Sequence, residues 1–379
     1  MSTAVGNKGR TALDAKTREI RIGLGSFDLV KGFAIILIIV SHMTSHYDTA
    51  VLFSDNIFLK ASGFLLYLIG AGINPVFFII SGYSFKGKPV KNYVKKNFSD
   101  FIKPYFYVMV AVAILYPIVH GIEYGFGSGT LKQSARWVLA FLFGLHDPAA
   151  KQKVIFGVEV RACWVAWFLL TMFHANNIFN LILKLKNTVV QFLLAVFSVV
   201  LGYALSLVDF TYFCLPQGFI AVGYCYAGYM LKRMRFFEKK RIVQIGFCLI
   251  LFAVTLCENL YGDYDLAYNL YKNGLLEILG TCCAGALLLI LGLYAGQYEW
   301  RALDWIKEIG IYTRWILCIH SVELICLPWD KIVKSMPEHP RRAFVIEILI
   351  KILIHVVCCT VLKRISRRKY KRKRMKAGK

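Results

Sequence analysis

The chain has 379 residues, of which 58% are hydrophobic and only 18% charged, and its 46 Lys+Arg against 22 Asp+Glu give a net charge of +24. Soluble domains are nearer half apolar and a quarter charged, so this composition excludes a disordered chain and a small disulfide scaffold and argues against an ordinary soluble enzyme. A large basic excess in so apolar a chain is read first as a marker of which loops face the cytoplasm, before nucleic acid is invoked.

A spanning helix needs ~20 mostly apolar residues. Ten such runs are predicted, near 26–46, 62–84, 104–121, 162–183, 188–207, 213–231, 242–258, 273–296, 305–328 and 343–362. An eleventh run, Trp137 to Leu145, is too short to cross and is expected to lie at the interface or re-enter. The first span follows a polar segment, lacks a small-residue cleavage pattern and contains Asp28 and Lys31, so it does not read as a signal peptide. Short links between spans predict one all-α polytopic bundle over 26–362, flanked by an N-terminal segment 1–25 and a basic tail 363–379.

Distributing the cations over alternate loops places 31 Lys/Arg on one side, 11 on the other and four within spans. This asymmetry predicts that both termini are cytoplasmic. The Tyr residues near span ends, such as Tyr203, Tyr212, Tyr261 and Tyr264, fit an interfacial belt. The polybasic tail is expected to contact anionic lipid. The eleven cysteines lie mostly inside apolar runs and show no metal spacing, so no metal is expected. The glycines from Gly121 to Gly129 match no phosphate loop and read as a flexible outer loop.

Ionisable groups within a bilayer are costly and therefore mark function. In the first span Lys31 and His42 are eleven positions apart, a net rotation of ~20°, so they share a face and are separated by ~16 Å along the axis. Asp28 falls near that face. His46 follows one turn beyond His42 and is expected at the surface. Taken singly, Lys31 could snorkel, Asp28 could cap the helix and His42 could be a packing residue; three such groups on one face favour a lined cavity. In the ninth span Arg314, His320 and Glu323 recur, and the i,i+3 spacing lets His320 meet Glu323, either as a structural pair or to fix the imidazole tautomer. Ser81-Gly82-Tyr83 closes the second span, where small residues permit close packing. Trp164 and Trp167 open the fourth, with His174 a heptad further on, and there packing is the favoured reading.

Together these residues carry a resemblance. Asp28, Lys31-Gly32 and His42 are similar to the first-span motif of the membrane acyltransferase-3 family. Phe77-Phe78-Ile79-Ile80-Ser81-Gly82, then Lys95-Lys96 with Lys103-Pro104-Tyr105, then Trp167-Phe168-Leu169, and Ile311-Tyr312-Thr313 through His320 resemble its later motifs, in order. The resemblance covers about residues 25 to 362. It implies an O-acyltransferase of a bacterial cell membrane that moves an acyl group, usually acetyl, from cytosolic acetyl-CoA to a hydroxyl of a cell-surface glycan or glycolipid. It further implies His42 as general base. Asp28, Lys31, Lys96, Trp167, His320 and Glu323 are expected to bind substrates, and Arg314, Ser81 or Tyr83 to stabilise the oxyanion. The family's basic residue is more often Arg, and Lys31 replaces its planar fork with a point charge. Some members carry an extracellular hydrolase-like domain after the last span; here a short basic tail follows, so the membrane domain is expected to work alone or with a partner, a second copy of the chain among them. The alternative class is a carrier for a small polar solute such as an amino acid, with the same charges lining a path.

Overall fold

The computed structural model describes residues 25–44, 47, 57–146, 153–160 and 162–377. His46 and the segment 1–24 lie outside these, as do 48–56.

Every predicted span is helical. The first four are α1 (Asp28–Thr44), α2 (Ile57–Tyr83), α4 (Lys103–Tyr124), which follows the short amphipathic α3 (Val90–Asn97), and α6 (Trp167–Ile182). Then come α7 (Thr188–Leu207), α8 (Leu215–Arg233), α9 (Arg241–Tyr261) and α10 (Leu275–Ala295). The ninth predicted span divides into α11 (Arg301–Ile311) and α12 (Thr313–Cys326), and the tenth is α14 (Pro340–Ala377), after the short α13 (Trp329–Ser335). The eleventh apolar run forms the second half of α5 (Ser128–Leu142) and the turn after it; in the helix Trp137, Ala140 and Phe141 are buried and the Tyr105 hydroxyl of α4 donates to the Phe141 carbonyl at 2.7 Å. Of the residues expected as a flexible loop from Gly121 to Gly129, 121–124 instead complete α4 and 128–129 start α5, leaving only 125–127 as a short link. Two small hairpins, β1 (Lys153–Ile155) with β2 (Val158–Val160) and β3 (Tyr264–Asp265) with β4 (Leu270–Tyr271), are the only sheets among the described residues.

This is an all-α multi-pass membrane bundle, but not ten helices of equal standing. Six helices are long and apolar enough to cross a membrane alone, and the α11–α12 pair, bent by 72°, would be a seventh. The 17-residue α1 and the Gly- and Tyr-rich α8 fall short by length or composition, and both are shielded by neighbours: α8 packs on α2, α6 and α7, and α1 on α11, while the 27-residue α2 packs on α8 and α10. A helix that does not face lipid need not be apolar all round. The outer helices do the opposite. Phe192 and Phe197 on α7, Leu249 and Ile250 on α9, and Leu349 and Leu353 on α14 point outward, as contact with acyl chains requires.

The α1–α11 contact is set by backbone approach. A Cβ on Gly32 would overlap the Ile306 carbonyl, and one on Gly310 would overlap that of Asp28, so both positions must lack a side chain. The chain then bends at Tyr312 (φ −99°, ψ 5°), and α12 runs on toward the far end of α1.

Candidate functional site

The predicted residues fall into two groups at opposite ends of the bundle. At one end Lys31 pairs with Asp28 at 2.5 Å. Close by, Asp100 accepts from Lys96 at 2.8 Å and from Arg314 Nη1 at 3.0 Å, with its backbone carbonyl also bonded by Arg314 at 3.1 Å. Tyr83 packs edge-on against Phe27, immediately before Asp28. Ser81 donates to Asn176 Oδ1 on α6 at 2.5 Å. Gly82 meets the backbone of Cys225 on α8. The structure thus does not bring Arg314, Ser81 or Tyr83 to His42. Arg314 precedes His320 by six residues, ~9 Å along α12, and its guanidinium is turned to Asp100.

At the other end, His42 sits with its ring centroid 5.5 Å from that of His320 and 6.3 Å from Trp164. His320 Nδ1 and Glu323 Oε1 are 2.7 Å apart, the contact the i,i+3 spacing predicts. Trp167 is buried and faces His146 at 5.6 Å. His42 lines a cavity of about 200 Å³, whose wall includes Ser41, Asn74, His146, Trp164, Trp167 and Tyr268.

Two parts of this end were not singled out from sequence. The first is a buried ion network behind His320. Glu323 also accepts from Lys351 Nζ of α14, at 2.8 and 2.9 Å. Lys351 is 3.6 Å from Glu347, whose other carboxylate oxygen accepts from the Tyr47 hydroxyl at 3.0 Å. The Lys351 ammonium lies 4.0 Å from the Trp329 ring centre, and Trp329 Nε1 donates to the Glu323 carbonyl. Glu347, Lys351 and His355 repeat at i,i+4 along one face of α14, a signal the sequence contained.

The second is His146. The chain leaves α5 through Gly144, whose φ of +55° suits a residue without Cβ. The Leu145 carbonyl then accepts from Cys163 at 2.7 Å, and Phe143 accepts from Phe213 at 2.9 Å. These bonds fix a loop outside the spans and carry His146 into the cavity wall, where it stacks on Tyr268 at 4.9 Å and 11°. Tyr268 is held in turn: Asp265 Oδ1 accepts from the Ala267 and Tyr268 backbone N–H groups, and Gln217 of α8 donates to the Ala267 carbonyl. Burial pushes the His146 pKa down to about 3, with the nearby His42 adding to the effect, so it is neutral in the folded protein. Trp164 adopts φ +52°, rare for a bulky residue, as it places its ring beside His42.

Such an arrangement suits proton transfer by a histidine in a small cavity. The family comparison agrees with the class. The acyltransferase domain of the acyltransferase-3 family matches residues 24–364, and the chain belongs to that family. It is therefore a multi-pass membrane acyltransferase. No curated protein and no solved structure shows significant similarity to it.

Proposed function

We propose that the protein transfers an acyl group, acetyl in the first instance, from cytosolic acetyl-CoA to a hydroxyl of an envelope glycan or glycolipid, with His42 as general base. The observation that carries this reading is the His42–His320 contact with Glu323 behind it. Glu323 fixes the orientation of His320, which packs against the base at 5.5 Å. His42 takes the proton of the acceptor hydroxyl as its oxygen attacks the thioester carbonyl. The tetrahedral intermediate collapses with loss of the coenzyme thiolate, which leaves with the proton. His42 is then neutral again, and no redox partner or metal is called on.

The donor's phosphates suit the opposite end, where Lys31, Lys96 and Arg314 lie beside the Lys-rich segment 85–103. The ~16 Å between Lys31 and His42 is a reach for a thin pantetheine arm rather than a whole nucleotide. That end faces the cytoplasm in this reading, with both termini on the same side and a glycan acceptor entering from the His42 end. The basic tail rests on anionic lipid, and residues 26–362 act as one catalytic unit. The test is transfer of label from [acetyl-¹⁴C]acetyl-CoA by membranes containing the wild-type chain. An alkali-labile ester on envelope material is the expected product; uptake of a labelled amino acid with no ester would contradict it.

A further inference from the structure

The cavity beside His42 has a chemical character of its own. Its aromatic faces, Trp164, Trp167 and Tyr268, stand next to the polar groups of Asn74, His146 and Asp265, and neither Lys nor Arg lines it among the described residues. Aromatic faces match the C–H faces of a saturated ring, and the polar groups match its hydroxyl rim. A phosphate or carboxylate would meet no cation among the described lining residues, at a desolvation cost that a neutral hydroxyl does not carry. At about 200 Å³ the space is below the ~300–1,000 Å³ typical of sites for larger ligands, so it takes one ring or the end of one.

Within that wall His146 is the unexplained group. It is 2% exposed, and among the described residues neither ring nitrogen has a hydrogen-bond partner, although buried polar atoms are normally satisfied. Its loop is fixed by the Cys163 N–H bond to Leu145 and its ring by the stack on Tyr268, so its position is built rather than incidental. We propose that His146 is an acceptor-binding residue: it hydrogen-bonds a neutral, hydroxyl-bearing ring seated in the cavity it lines with His42, Trp164 and Trp167 and holds one hydroxyl toward His42. This rests on the acyl-transfer reading for the hydroxyl's fate, but the seat itself is a binding claim. The neutral imidazole offers one donor and one acceptor, which matches a hydroxyl that must give and receive.

The test uses the purified full-length chain in lipid nanodiscs, with methyl β-D-glucopyranoside as the neutral probe and glucose 6-phosphate as its anionic counterpart. Binding is read from tryptophan emission, and transfer from acetyl-CoA is measured alongside. Wild type is expected to bind the methyl glycoside at least tenfold more tightly than the phosphate. His146→Phe, which keeps the stack, is expected to weaken binding and raise the acceptor KM by roughly tenfold, the size of one lost hydrogen bond. The KM for acetyl-CoA should not change, and His146→Gln should recover part of the loss. No binding by wild type, tighter binding of the phosphate, or wild-type affinity in His146→Phe would overturn the proposal. If His146→Phe does not fold, the two-ligand comparison on wild type and the His146→Gln affinity decide it. Binding without transfer would leave the seat standing and contradict the acyl-transfer reading instead.

Discussion

Lys351 shows what one residue does in this bundle. It is 1% exposed within an apolar helix, held between Glu323 and Glu347 and over the Trp329 ring. Such a charge persists in a membrane interior only because its partners are in place, and removing one partner strands the others. Lys351→Met should therefore cost about 3–5 kcal/mol, read as a fall in the thermal midpoint of the detergent-solubilised protein. The double variant with Glu323→Gln should recover part of it. An unchanged midpoint in Lys351→Met would show that the network adds nothing to stability. His320 and Glu323 were legible in the sequence because their spacing alone makes them meet. The Glu347, Lys351 and His355 stripe was equally visible, but a stripe does not say which helix it faces. His146 had no periodic signal, since its place depends on the hydrogen bond from Cys163 to the neighbouring Leu145 and on a hairpin more than a hundred residues away.

Among the helices, the α11–α12 bend departs most from expectation. Hydropathy over 305–328 averages a polar helix with an apolar one. Asp304, Lys307 and Glu308 give α11 a charged face, with Lys307 bonded to Asp304 and Lys363 to Glu308, while α12 carries the buried His320 and Glu323. The bend follows directly on the crossing where Gly32 abuts Ile306 and Gly310 abuts Asp28, so the Asp28 and Lys31 turn and the start of α12 are positioned through one close crossing. Gly310→Leu should force the α1–α11 crossing apart. The expected outcome is a marked loss of monodisperse protein on size-exclusion chromatography; wild-type yield and elution would show that the crossing tolerates a side chain. The other predicted spans match helices because long apolar runs are read by length. The count of ten was not settled that way, since α1 and α8 are covered by neighbours and escape the need to be long and apolar.

Over the whole molecule the charge is sorted by end. On the predicted alternation of spans, the loops at the Asp28 end hold most of the Lys and Arg, and those at the His42 end hold few. If that asymmetry sets orientation, reporters fused after Gly87 and at the C-terminus should read as cytoplasmic, and reporters after Gly157 and Asn269 as external. The reverse pattern would turn the donor and acceptor ends around. The acyl-transfer account depends on both ends acting through His42. Its most direct measurement is kcat/KM for acetyl transfer by His42→Ala at matched expression and an unchanged elution profile. A drop of roughly 10²–10⁴-fold, the usual worth of a general base, is expected; wild-type turnover in that variant would contradict the account.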